Sequence, residues 1–131
     1  SESEIKSILN SGKTVAVWPG TADADQGDLV TFGVGVRNNL GEEKEFSLEV
    51  DWVKLIRPDD TSDASSRHDW IITDSGNKMT DPAIIKSNDL YEFVFAIRVG
   101  PSPDPGTYIF NVQVYQGADK FESPQRVYIT V

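Results

Sequence analysis

The chain has 131 residues, 38% hydrophobic and 25% charged, with no cysteine. A chain of this length buries roughly two thirds of its unfolded surface in one core and folds without a disulfide or metal staple; the missing thiol excludes a cysteine nucleophile and cysteine-ligated zinc or iron–sulfur chemistry. Twelve Lys+Arg against 21 Asp+Glu give a net charge of −9, and with no basic cluster to offset it such a surface repels phosphate backbones, which argues against nucleic-acid binding.

The chain opens Ser1-Glu2-Ser3-Glu4. A start without Met points to a processed or trimmed chain, with a removed leader, membrane anchor or tag as the alternatives. No apolar run reaches 18 residues, so a membrane connection is expected only through an anchor upstream. Ile5, Ile8 and Leu9 behind Ser3 stand at i, i+3, i+4, the spacing of one helix face. Residues 1–12 are therefore assigned to a helical or flexible segment, either a frayed terminus or the stump of a longer helix, and residues 13–131 to the globular domain.

Val15 and Val17 supply a first strand, closed by Pro19-Gly20. Val30, Phe32, Val34 and Val36 then alternate with Thr31, Gly33, Gly35 and Arg37, the two-residue period of a strand with one buried face. Asn38-Asn39-Leu40-Gly41 reads as a turn, and Phe46, Leu48, Val50 and Trp52 continue with the same period. Proximity in sequence predicts that these two runs pair as antiparallel neighbours. Residues 57–80 are polar apart from Trp70-Ile71-Ile72, where a short strand is expected, and Ala83-Ile84-Ile85 follows.

The clearest strand places Tyr91, Phe93, Phe95, Ile97 and Val99 on one face, aromatic and β-branched positions suited to a packed sheet. Three prolines in Pro101–Gly106 cannot continue a ladder. Tyr108, Phe110, Val112 and Val114 alternate next, and Val127, Ile129 and Val131 end the chain. Seven or eight short strands separated by turns, with no long helix, predict an antiparallel sandwich or barrel.

Asp104-Pro105-Gly106-Thr107-Tyr108 resembles the D-x-G-x-Y run that precedes the penultimate strand of immunoglobulin-like domains, where the tyrosine hydroxyl bonds back to the corner backbone. Phe110 stands where antibody domains carry a cysteine. From Val15 to Val131 the order of elements is similar to the cysteine-free immunoglobulin-like modules of prokaryotic cell-surface proteins, the CARDB-type domains. More loosely it resembles archaellum stator subunits and pilus-associated β-sandwich proteins of archaea. The resemblance implies an all-β immunoglobulin-like sandwich, a structural tyrosine corner at Asp104, Gly106 and Tyr108, and a non-enzymatic, extracytoplasmic role at the cell surface.

Sandwiches expose edge strands where a neighbour adds, which marks Val15, Val17, Val127 and Ile129 as candidate interface residues for a protein partner or a homo-oligomer. Lys13, Lys120 and Arg126 serve in the opposite reading as guards against that addition. Trp18 and Trp70 are candidates for stacking on a glycan in a carbohydrate-binding module, while Trp52 continues an inward face. His68, the single histidine, lies near Ser65, Ser66 and Asp69 without a nucleophile-elbow motif. Asp23, Asp25 and Asp28, and Asp59, Asp60 and Asp63, are acidic loops that lack calcium-loop spacing. No catalytic residue, metal ligand or cofactor is assigned.

Overall fold

The computed structural model describes residues 2–131. Its elements are α1 (Glu2–Asn10), β1 (Val15–Trp18), β2 (Thr21–Asp23), β3 (Leu29–Arg37), β4 (Lys44–Ile56), β5 (Ser62–Asp63), a short 3₁₀ turn (His68–Trp70), β6 (Ile71–Ile72), β7 (Ala83–Ile85), β8 (Leu90–Arg98), β9 (Thr107–Gln116) and β10 (Asp119–Thr130). Two sheets face each other: β1-β3-β8-β6, and β2-β10-β9-β4-β5 with β7 also on β4. The fold is an immunoglobulin-like β-sandwich.

The inward residues of each alternating run meet between the sheets. Phe32, Val34, Phe95 and Ile97 from one sheet and Phe46, Leu48, Val50, Phe110, Val127 and Ile129 from the other are all buried in one core. Phe32 stacks on Phe95 with ring centroids 5.0 Å apart, and Phe46 meets Phe121 edge-on at 5.2 Å.

β3 and β4 do not pair, contrary to the hairpin expected from their proximity. β3 lies between β1 and β8, and β4 pairs with β9. Both runs have one apolar face, and crossing between the sheets brings those faces together across the core. Asn38, fully buried, holds the crossover: its Nδ2 donates to the carbonyls of Glu42 (2.7 Å) and Ile85 (2.8 Å), and its Oδ1 accepts from the Leu40 amide (2.9 Å). A buried amide with all of these bonds made replaces the backbone pairing that the crossover forgoes.

Two further devices set the edges. The chain leaves β1 through a cis Trp18–Pro19 bond and re-enters the other sheet as β2, parallel to β10 over Tyr128–Thr130. β10 shifts register between Phe121 and Gln125, where Glu122 has φ 64°. The buried Gln113 side chain donates there to the carbonyls of Glu122 (3.0 Å) and Val114 (2.9 Å).

α1 packs on the outside of the four-stranded sheet, with Ile5 and Leu9 buried beside Ala16. Gly33 and Gly35 make room for it. A Cβ on Gly35 would meet Ile5 and approach Leu9 Cδ1 to 2.9 Å, and one on Gly33 would approach Ile5 Cδ1 to 2.8 Å. Burying two aliphatic side chains stabilises the docked helix by roughly 1.5–3 kcal/mol each, which a nine-residue helix could not supply alone.

Candidate functional site

The tyrosine corner lies inside one end of the sandwich. The Tyr108 hydroxyl donates to the Asp104 carbonyl at 2.7 Å, and burial pushes its ionisation up. Gly106 has φ +145°, and a Cβ there would meet the Ile56 carbonyl and come within 2.8 Å of Leu55 Cδ1, so the close approach of the corner to β4 requires glycine.

Around Tyr108 the 57–70 excursion folds back as a plug. Trp52 and Trp70 lie 5.9 and 4.7 Å from the Tyr108 ring, and the Arg67 guanidinium sits 5.6–5.9 Å from all three ring centroids. Such an arrangement combines cation–π attraction with shielding of the aromatic cluster. Arg67 and Arg57 both approach Asp63, at 3.8 and 3.3 Å, and Arg57 also reaches Asp104 at 3.5 Å. Bonds from the Ser65 hydroxyl and amide, then the two arginines, hold the Asp63 carboxyl below its ordinary range.

The plug corrects the assignment of Trp70 as a stacking platform. Its indole is 6% exposed and lies against Gly100, where a Cβ would collide with it. The residue belongs to the 3₁₀ turn, with the strand beginning only at Ile71. Trp18 remains 41% exposed.

Val127 and Ile129 need a second correction. β10 has β9 on one side and β2 on the other, and both residues are fully buried in the core. The final strand is therefore no edge at this level, because the chain's own β2 has added to it. β1 is an edge: it pairs with β3 alone. Val15 and Val17 face the core from it, and the Val15 carbonyl accepts a bond from Gln125 Nε2 at 3.3 Å.

The outer face of this sheet carries a row absent from the sequence reading. Trp18 aligns with Gly33, and Gly33 with Val94. Two positions along β8, Ala96 aligns with Ile72, and Leu29 aligns with Arg98 at the sheet's end. Trp18, Val94, Ile72 and Leu29 are 41%, 53%, 41% and 49% exposed. The Glu92 carboxylate leans over Gly33 within this row. An available signal was the placement of Leu29 and Val94 on the otherwise polar faces of alternating strands.

The remaining candidates are engaged locally. Asp28 accepts the Asp25 amide at 2.8 Å, and Asp59 Oδ1 accepts the Thr61 amide and hydroxyl at 3.1 and 2.7 Å. Among the described residues no three His, Asp or Glu side chains converge as metal ligands. Ser66 Oγ accepts the backbone amide of His68 at 3.2 Å. On the other sheet's outer face Lys78 bridges Glu49 at 3.6 Å and Asp51 at 3.3 Å. The hydrogen bond with Asp51 and partial burial raise the Glu49 carboxyl above its ordinary range, and Lys78 is raised by Asp51 and then Glu49. No helix among the described residues is long and apolar enough to cross a membrane.

No family model and no curated protein matches this sequence. Among solved structures the chain is similar to a family 123 glycoside hydrolase from Clostridium perfringens, at TM-score 0.59 and 11% identity over 85% of this chain and 22% of that one. It spans about a fifth of that enzyme. It is also similar to PapD-like domain 7 of human CEP192, at TM-score 0.58 and 7% identity over 89% and 84% of the two chains. A FixG-related protein from Vibrio parahaemolyticus matches at TM-score 0.51 and 9% identity over 88% and 93%. At these identities the likeness is one of fold, a β-sandwich of the immunoglobulin-like and PapD-like kind.

Proposed function

We propose that the domain is a non-enzymatic protein–protein interaction module that works outside the cytoplasm, in a cell-surface or filament assembly of the archaellum or pilus kind. The observation that carries this reading is the open side of β1: the strand has β3 as its one strand neighbour, and only its Val15 carbonyl is taken, by Gln125, while β2 covers β10 over Tyr128–Thr130. An open edge offers backbone donors and acceptors to an incoming strand. The resemblance to prokaryotic surface modules supports the location. Light scattering across a concentration series, together with a photo-crosslinking residue at Trp18, the exposed end of β1, in the intact protein in its own cells, tests the reading. Protein adducts at this position, or a mass that rises with concentration, are expected. A strict monomer without protein adducts overturns it.

A second reading, a carbohydrate-binding accessory module, is favoured by one observation, the exposed Trp18 indole beside the Glu92 side chain on the same face. Glycan binding lost in Trp18→Ala would support that reading, and binding unchanged in that variant would remove the indole from it.

A further inference from the structure

We propose that the outer face of the β1-β3-β8-β6 sheet is a docking site for a segment of another protein that presents a lysine or arginine flanked by aliphatic side chains; the site rests on the protein-interaction reading above and names the chemistry of its partner.

The site is built by register. Trp18, Gly33 and Val94 lie side by side on three adjacent strands. At about 4.8 Å per strand the indole and the valine stand roughly 10 Å apart with no side chain rising from the strand between them. Into that gap lean the δ-methyl of Ile5 and the carboxylate of Glu92. Among the described residues Glu92 has no cation within 4 Å. Lys6 on α1, the helix adjoining this gap, bridges Glu2 at 2.9 Å and reaches Glu92 only through longer-range charge attraction. The result is a carboxylate without a direct ion pair, set between two exposed apolar side chains.

Such a setting selects a cation. A guanidinium or ammonium above Glu92 gains a charge-assisted bond and a place beside the Trp18 ring face. Val94, Ile72 and Leu29 then take the aliphatic neighbours of that cation. Two features specify the occupant further. The apolar row is continuous with the surface on which α1 already docks through Ile5 and Leu9, so the same sheet face packs aliphatic side chains. The domain carries a net charge of −9, which attracts a basic partner and opposes a second copy of this chain.

The test is an amide and side-chain NMR titration of the intact domain with a short capped peptide in which arginine and leucine alternate. A peptide with glutamate in place of arginine is the control. Shifts at the Trp18 indole, Val94 and Ile72 are expected with the arginine peptide and not with the glutamate one. Glu92→Gln, an isosteric change at a half-buried position, is expected to weaken binding about fivefold to tenfold while the shift pattern stays on the same residues. Equal binding of both peptides, or equal binding by Glu92→Gln, overturns the proposed chemistry. Shifts confined to the open edge of β1 would overturn this site while leaving the interaction reading standing. Shifts at Val94 and Ile72 that grow with protein concentration alone would assign the face to a second copy instead. No shift with either peptide at millimolar concentration overturns the site.

Discussion

Replacing Asn38 by alanine tests whether a single buried amide holds the crossover between the sheets. The change removes three bonds: to the Ile85 carbonyl, which is buried, and to the Glu42 carbonyl and the Leu40 amide, which are half-buried. A buried acceptor left unpaired costs about 1–3 kcal/mol, and two groups that water partly re-satisfies cost about 0.5–1 kcal/mol each. The sum is about 2–5 kcal/mol. With about 2.1 cal/mol/K of unfolding entropy per residue, 131 residues give about 0.28 kcal/mol/K, and Tm falls by about 7–18 °C. Scanning calorimetry reads this directly. Asn38→Asp keeps the acceptor for Leu40 but turns a carboxylate toward two carbonyls, so it is expected to be less stable than Asn38→Ala at neutral pH and to recover in acid. A Tm loss under about 3 °C in Asn38→Ala would refute the assignment, because water would then be filling all three places.

Tyr108→Phe removes the bond to the Asp104 carbonyl and is expected to lower Tm by about 2–5 °C in the same experiment; no change would mean that the corner is held by packing alone. Gly35→Val places side-chain atoms where Ile5 and Leu9 now sit, so amide exchange in α1 is expected to lose its protection while the core strands keep theirs. Retained protection in α1 would show that the sheet yields instead. The Glu49 carboxyl is raised in the folded protein, so its charged form is the less favoured there. Its contribution to stability is present below its ordinary value of 4.5 and lost as pH rises through the folded value. Urea midpoints of Glu49→Gln relative to the parent are therefore expected to improve between acid and neutral pH; a difference independent of pH would refute the shift.

Much of the architecture was legible because each strand advertises its buried face. The alternations in Leu29–Arg37, Tyr91–Val99 and Tyr108–Val114 are local records of burial, and the structure places strands on all three. The Ile5, Ile8, Leu9 spacing likewise lies on a helix. Alternation states that one face is buried and does not name the neighbour, so the β3–β4 pairing was misjudged and the parallel β2 was unseen. Thr21–Asp23 has no apolar run and becomes a strand because the side of β10 was available to pair with.

The candidate site divides in the same way. Trp18 was legible as an exposed aromatic out of phase with its strand. Trp70 was not legible as buried, because its cover comes from Tyr108 and the space left by Gly100, residues distant in the chain, joined by Arg67 of its own loop. The apolar row of Trp18, Val94, Ile72 and Leu29 draws on four strands. The amino-acid sequence by itself determined a cysteine-free, acidic, all-β domain with a corner at Tyr108, since composition, period and short motifs act within a few residues. Sheet membership, the covered side of β10 and the exposed row were decided by tertiary structure, since strand registers align residues that no local pattern connects.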